Sequence, residues 1–178
     1  TVATSGGAGR FADKNVGTGK AVTVTSVALA GADAGNYSLT APTGLTANIT
    51  KANLTVSGLT AANKVYDATT AATLSGTVVV AALGNDVLTV DGTASAFFND
   101  KLAGSGKVVT VAGNTLGGTD SGNYNLVQQQ GLTANINKAS LTVGVTGMNK
   151  VYDGTTAATV GYTDNRLASD VLMFTSNA

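Results

Sequence analysis

The sequence predicts an all-β chain of tandem Ig-like β-sandwich modules, and three observations carry that expectation. Short apolar runs alternate with period two, the pattern of half-buried strands. Gly, Asn and Asp punctuate them roughly every 8 to 12 residues, giving about seven short strands in each stretch of roughly 87 residues. The chain also copies itself: Tyr37 and Tyr124, and Ile49 and Ile136, each stand 87 residues apart inside matching phrases.

Taken in order, "NLTVSG" at 53–58 places Leu54 and Val56 on one face of a strand and Thr55 and Ser57 on the other. "ATLSGTVVVA" is apolar and β-branched, which fits a buried strand. The Ala-rich "DATTAAT" before it could hold one helical turn, yet its threonines favour extended chain. "DVLTVDG" at 86–92 and "KVVTVAG" at 107–113 alternate, the latter with Val109 and Val111 on one side. "NYNLV" and "GLTANI" are two further short strands. Asp91–Gly92 and Gly113–Asn114 are hairpin candidates. In "GADAGNY" and "GTDSGNY" the Asx side chains can bond their own backbone and Gly accepts positive φ. Tyr37 and Tyr124, which follow these turns, are expected to bury their rings. No helix-period stripe competes.

Four blocks recur in order. "FADKNVGTGKAVTV" at 11–24 returns at 98–111 as "FNDKLAGSGKVVTV", and "GADAGNYSL" at 31–39 returns at 118–126 as "GTDSGNYNL". "GLTANITKANLTV" at 44–56 returns at 131–143, and "NKVYDATTAAT" at 63–73 returns at 149–159 as "NKVYDGTTAAT". Residues 51–137 are then one complete module, 1–50 the second part of a preceding one and 138–178 the first part of a following one. Short linkers are expected near Ile49–Ala52 and Ile136–Ala139. Fragments this short bury too little surface to stand alone. Either the chain is a window on a longer array, the favoured explanation, or its ends complete each other between chains by strand exchange.

Composition excludes whole classes of function. Lys and Arg number 10 and Asp and Glu 10, so the net charge is zero and no basic stripe is available to a phosphate backbone. With neither His nor Cys the usual nucleophiles, proton shuttles and zinc ligands are missing, and no disulfide can form. No catalytic, cofactor-binding or metal-ligating residue is therefore assigned, and no enzyme is expected. Asp33, Asp86, Asp91, Asp100 and Asp120 are candidate calcium ligands, but their spacing matches no known loop. Lys101 beside Asp100 is a candidate for a Lys–Asn amide cross-link, which needs a buried Lys, Asn and acid together. Three sequons, at Asn36, Asn48 and Asn53, arise easily in an Asn- and Thr-rich chain. No apolar run approaches the roughly 20 residues that span a bilayer, so no membrane insertion is expected. The opening "TVATSGGAGR" has no signal-peptide core.

In "NKVYDGTT" alternation puts Val151 and Asp153 on one side and Lys150 and Tyr152 on the other until Asp–Gly turns the chain. Tyr152 is expected to pack its ring, and Asp153 to accept bonds from the backbone that follows. Together with "F-x-DK-x-x-G-x-GK", "G-x-D-x-GNY-x-L" and "GLTANI-x-KA", the phrase resembles the YDG-type repeat of large bacterial surface proteins similar to filamentous haemagglutinin adhesins. One departure is Ala68, where that pattern has Gly. The resemblance covers essentially the whole chain and implies a secreted or cell-surface stalk, spacer or filament with no catalytic residues. Its partners would be neighbouring repeat modules, with self-association into filaments an alternative. A third expectation, from a different class, is an adhesive module that binds a glycan or host protein.

Overall fold

A computed structural model describes residues 8–40 and 42–175; the first seven residues, most of the opening phrase, lie outside them. The described chain is all-β, with two single 3-10 turns at Ala34–Asn36 and Ser121–Asn123. The first strands are β1 (Ala8–Phe11), β2 (Gly17–Ser26), β3 (Thr46–Ile49), β4 (Ala52–Thr55) and β5 (Ser57–Ala61). There follow β6 (Lys64–Val65), β7 (Ala71–Ala72), β8 (Leu74–Val79), β9 (Thr89–Asp91), β10 (Ser95–Phe98) and β11 (Gly104–Ala112). The last are β12 (Thr115–Gly117), β13 (Tyr124–Val127), β14 (Leu132–Asn137), β15 (Val143–Gly147) and β16 (Val160–Asp164). No helix among the described residues is long and apolar enough to cross a membrane.

The chain divides into two compact units, neither of them continuous in sequence. The first takes Thr1–Val56, Val79–Gly92 and Asn114–Val127, and the second takes Ser57–Val78, Thr93–Gly113 and Gln128–Ala178.

In the first unit β1, β2 and β3 form an antiparallel sheet, β9 pairs β12, and β13 lies parallel to β4. Among the described residues Leu54, Val56 and Tyr124 are its buried apolar side chains. The alternation expected of 53–58 holds, with Thr55 and Ser57 exposed, but β4 ends at Thr55. The Val56 N–H donates instead to Val127 O, at 2.9 Å. In "DVLTVDG" only β9 is strand, because Asp86 closes a turn with its N–H bonded to Leu83 O and residues 86–88 lead from it to the site described below without joining a ladder.

The second unit holds a five-stranded sheet in the order β6-β14-β11-β10-β7, antiparallel except for β6 beside β14. Phe98, Val109, Ala96, Ala134 and Ile136 project from it into one core, with Ala61, Tyr66 and Leu74 packed against them. Each large apolar side chain so buried contributes roughly 1.5–3 kcal/mol. Val109 and Val111 are buried while Val108 is 56% exposed, the alternation expected of this strand. The run "ATLSGTVVVA" is not a buried strand: β8 belongs to a two-stranded ladder with β5, and Val79 is 52% exposed. Asp91–Gly92 and Gly113–Asn114 are not hairpins either. Asp91 faces Thr115 across β9 and β12, and both dipeptides are corners at which the chain leaves one compact unit for the other.

The β1–β2 and β10–β11 connections are built alike. Asp13 pairs with Lys20 and accepts the Asn15 N–H, and Asp100 pairs with Lys107 and accepts the Leu102 N–H. The ladder from β2 to β3 slips between Gly17 and Lys20, and that from β11 to β14 slips between Gly104 and Lys107. At each slip an Asn amide takes the freed donor: Gly19 N–H to Asn48 Oδ1 and Gly106 N–H to Asn135 Oδ1, both 2.8 Å.

Candidate functional site

The doubled phrase "NKVYD" makes a lysine clasp. Lys64 Nζ donates to Asp67 Oδ1 at 2.7 Å, to Thr69 O at 2.9 Å and to Ala71 O at 2.9 Å. Lys150 repeats the set with Asp153, Thr155 O and Ala157 O. The Thr155 N–H donates to Asp153 as expected, but Lys150 and Asp153 are not on opposite sides, because the bend folds the carboxylate back over the ammonium. "DATTAAT" holds no helical turn, as its threonines led one to expect, and contains β7.

Asp67 is held down to about 2 from its ordinary 3.8, first by Lys64 and then by the Thr69 N–H and hydroxyl. Its folded pKa is depressed, so the clasp contributes fully above the ordinary value and is lost as pH falls through about 2. Carboxyl-resolved NMR should find Asp67 titrating near 2, and Lys64→Met should return it toward 3.8. An unchanged midpoint in that variant would exclude the lysine as cause.

Ala68 adopts φ +63° at the position where Gly154 has +72°, so the first copy keeps the left-handed turn without its glycine. A Cβ is strained there by roughly 1–2 kcal/mol. Ala68→Gly should therefore stabilise the protein by about 0.5–1 kcal/mol net of glycine's greater chain entropy, measured as a higher urea midpoint.

The second site is a strand-docking junction in the first compact unit. Its plug is residues 118–127, where the turn Ser121–Asn123 delivers Tyr124 into β13 beside β4. The Tyr124 ring is 4% exposed; its hydroxyl donates to Asp86 Oδ2 at 2.7 Å and accepts the Leu83 N–H at 3.1 Å. Lys14 pairs with the other oxygen of Asp86 and, at 3.0 Å, with Asp120. Asp120 does not bond its own turn, as the sequence suggested, but takes the Val87 N–H at 2.8 Å. Asn123 Oδ1 takes the Val16 N–H at 2.9 Å.

The electrostatics are those of a closed network. Asp86 is lowered by Lys14 and then by the Tyr124 hydroxyl, and Asp120 by the Val87 N–H and then by Lys14. Lys14 is raised by both carboxylates, and Tyr124 is raised by Asp86 and by burial.

In the second unit a groove of about 740 Å³ carries counterparts of these groups, including Lys101, Ala139, Leu141 and Asp170. Lys101 lies 3.6 Å from Asp170, and the Tyr66 hydroxyl donates to Asp170 Oδ1 at 2.6 Å. Asp170 is raised to this position by its N–H bond to Leu167 O, as Asp86 is by its bond to Leu83 O. This block escaped the sequence reading. "LGNDVL" at 83–88 recurs as "LASDVL" at 167–172, an offset of 84. A search tied to offsets of 87 and 86 passes over it, and allowing short deletions would have found it.

Among the described residues no group of three or more metal-ligating side chains converges. Asp86 and Asp120 share Lys14, Asp100 pairs with Lys107, and Asp91 accepts the Thr89 hydroxyl. Asp33 precedes the turn Ala34–Asn36 with no side-chain bond to it. Lys101 is turned to Asp170, not Asp100. Of the sequon residues, Asn48 holds Gly19, Asn36 ends a 3-10 turn and Asn53 lies in β4. Two expected burials are overturned. Tyr37 is 72% exposed and Tyr152 93%, because neither has the strand or turn that covers Tyr124 and Tyr66.

By fold and site, this is an all-β protein whose main candidate site is a strand-docking junction. The chain belongs to the YDG domain family, whose model matches residues 1–44 and 50–131. No curated protein and no solved structure gave a significant match.

Proposed function

We propose that the chain is a structural repeat segment, a stalk or spacer, of a secreted or cell-surface bacterial protein similar to filamentous haemagglutinin-like adhesins. Its modules are Ig-like β-sandwiches with a period of about 87 residues, divided at 1–50, 51–137 and 138–178. The observation that carries this reading is the paired recurrence of whole contacts. The Asp–Lys loop closure, the ladder slip and the Asn–Gly bond occur in β1–β3 and again in β10, β11 and β14. The lysine clasp likewise occurs twice. Contacts, and not composition alone, are duplicated, as expected where each repeat closes its own backbone and meets its neighbours through like junctions.

The role is mechanical and not catalytic, the partners are neighbouring modules, and the location is extracellular. Support for the junction as a load-bearing element is its mixture of a parallel strand pair, a buried ring and a shared lysine. Two measurements test the reading. Small-angle scattering on chains with one, two and three further repeats should give a maximum dimension rising linearly with repeat number. Protease shaving of intact cells that make the parent protein should release this segment. A compact, constant dimension, or protection from shaving until lysis, would remove the proposal.

A further inference from the structure

We propose that the open groove of residues 138–142 and 167–175 takes residues 27–40 of a second copy of this chain, so that copies add head to tail. The inference deepens the reading of 1–50 and 138–178 as partial modules and rests on it. Both halves of the contact are present in the chain, and their joined form is seen in the first compact unit.

The plug is already shaped. Asp33 and Tyr37 have φ −96° and −127°, against −99° and −127° at Asp120 and Tyr124. The bonds Ala34 N–H to Gly31 O and Asn36 N–H to Asp33 O match those of Ser121 and Asn123 in the second turn. Yet residues 37–40 belong to no strand, and Tyr37 is 72% exposed where Tyr124 is 4%. A preformed turn loses little entropy on docking.

The groove is the complement. Residues 138–142 match β4 and its approach but join no ladder, and Leu141 is 46% exposed where its counterpart Leu54 is 4%. Asn165 bonds the Thr142 N–H and the Ser140 carbonyl. Successive N–H groups of a strand point to opposite sides, and β13 is held through the N–H of Val56, the counterpart of Val143. Asn165 therefore occupies the far edge and leaves the β13-like edge open. Lys101 and Tyr66 both address Asp170 Oδ1, whereas in Asp86 the lysine and the tyrosine take different oxygens, Lys14 at Oδ1 and the Tyr124 hydroxyl at Oδ2. Val171 and Met173, about 90% exposed, continue the groove where β9 meets β12 in the joined form.

By that template the second copy's Tyr37 hydroxyl donates to Asp170, its Asp33 pairs with Lys101, and its residues 37–40 run parallel to 139–142. Main-chain pairing supplies affinity and the tyrosine supplies register. The contact joins unlike surfaces, so it propagates into filaments or closes into rings.

The test is mass by light scattering over a concentration series of the whole chain. The native chain should grow with concentration, and Tyr37→Ala should weaken growth by roughly 30-fold or more, as a central aromatic anchor does. Asp170→Ala or, with the Tyr66 bond intact, Leu141→Lys should do the same. Mixing the Tyr37→Ala chain with either groove variant should give a one-to-one dimer and no larger species, since one retains only the groove and the other only the plug. A peptide of residues 27–40 should cap growth. A native chain that stays monomeric, or growth that survives Tyr37→Ala, overturns the docking. If Tyr124→Ala still destabilises that monomer, the module reading stands without it; if it does not, both fall.

Discussion

Tyr124→Ala is expected to lower stability by about 3–5 kcal/mol, the range for removing a large buried ring, whereas Tyr37→Ala should change it by less than about 0.5 kcal/mol. The two residues occupy the same place in the same phrase, "GNY", and differ only in what surrounds them. Tyr124 is 4% exposed, its ring covered beside β4 and its hydroxyl shared between Asp86 and the Leu83 N–H. Tyr37 is 72% exposed. Tyr124→Phe separates the ring from the hydroxyl. It keeps the packing but strips a donor from Asp86 and an acceptor from Leu83, a loss of about 1–3 kcal/mol. Urea unfolding of dilute protein, below any association, measures all three. Equal effects at Tyr37 and Tyr124 would mean that the junction adds nothing to the turn itself.

That pair also marks what a sequence can and cannot disclose. Alternation identified β11, β13 and β14 and the buried side of Val109 and Val111, because those features depend on neighbours along one strand. The Asp153 turn was legible for the same reason: donor and acceptor are two residues apart. The clasp by Lys150 was not, since the side chain must be seen to reach back over the bend. The junction was least legible. Asp120 and Val87 stand 33 residues apart, and Lys14 and Asp86 stand 72 apart. Two copies of one phrase are therefore buried or exposed according to strands that the phrase does not contain.

The division into ladders was hidden for a related reason. "NLTVSG" reads as one strand, and its apolar residues do alternate, but hydrogen bonding is a property of edges and not of faces. Leu54 pairs with β13, and three residues later Ser57 opens β5, whose partner is β8. Periodicity reports the face and is silent on the change of partner.

The other large effect is expected from the glycine opposite that change. Gly76→Ala should cost about 3 kcal/mol or more, from two additive sources. Gly76 lies in β8 at φ +97°, outside the compact left-handed well that alanine tolerates best, which is worth roughly 1–3 kcal/mol. A Cβ there would also be driven into the carbonyl of Gly58 on β5, and moving backbone to admit it adds roughly 1–3 kcal/mol. Gly154→Ala is the matched control. Its φ of +72° is strained too, but nothing lies within 4 Å of the added carbon, and Ala68 already occupies the equivalent turn. That change should cost only about 1 kcal/mol. Parallel urea titrations of the two variants give the difference directly. A Gly76→Ala midpoint no lower than that of Gly154→Ala would show that β5 and β8 separate freely at this crossing, and Gly58 and Gly76 would then need another reason to face each other.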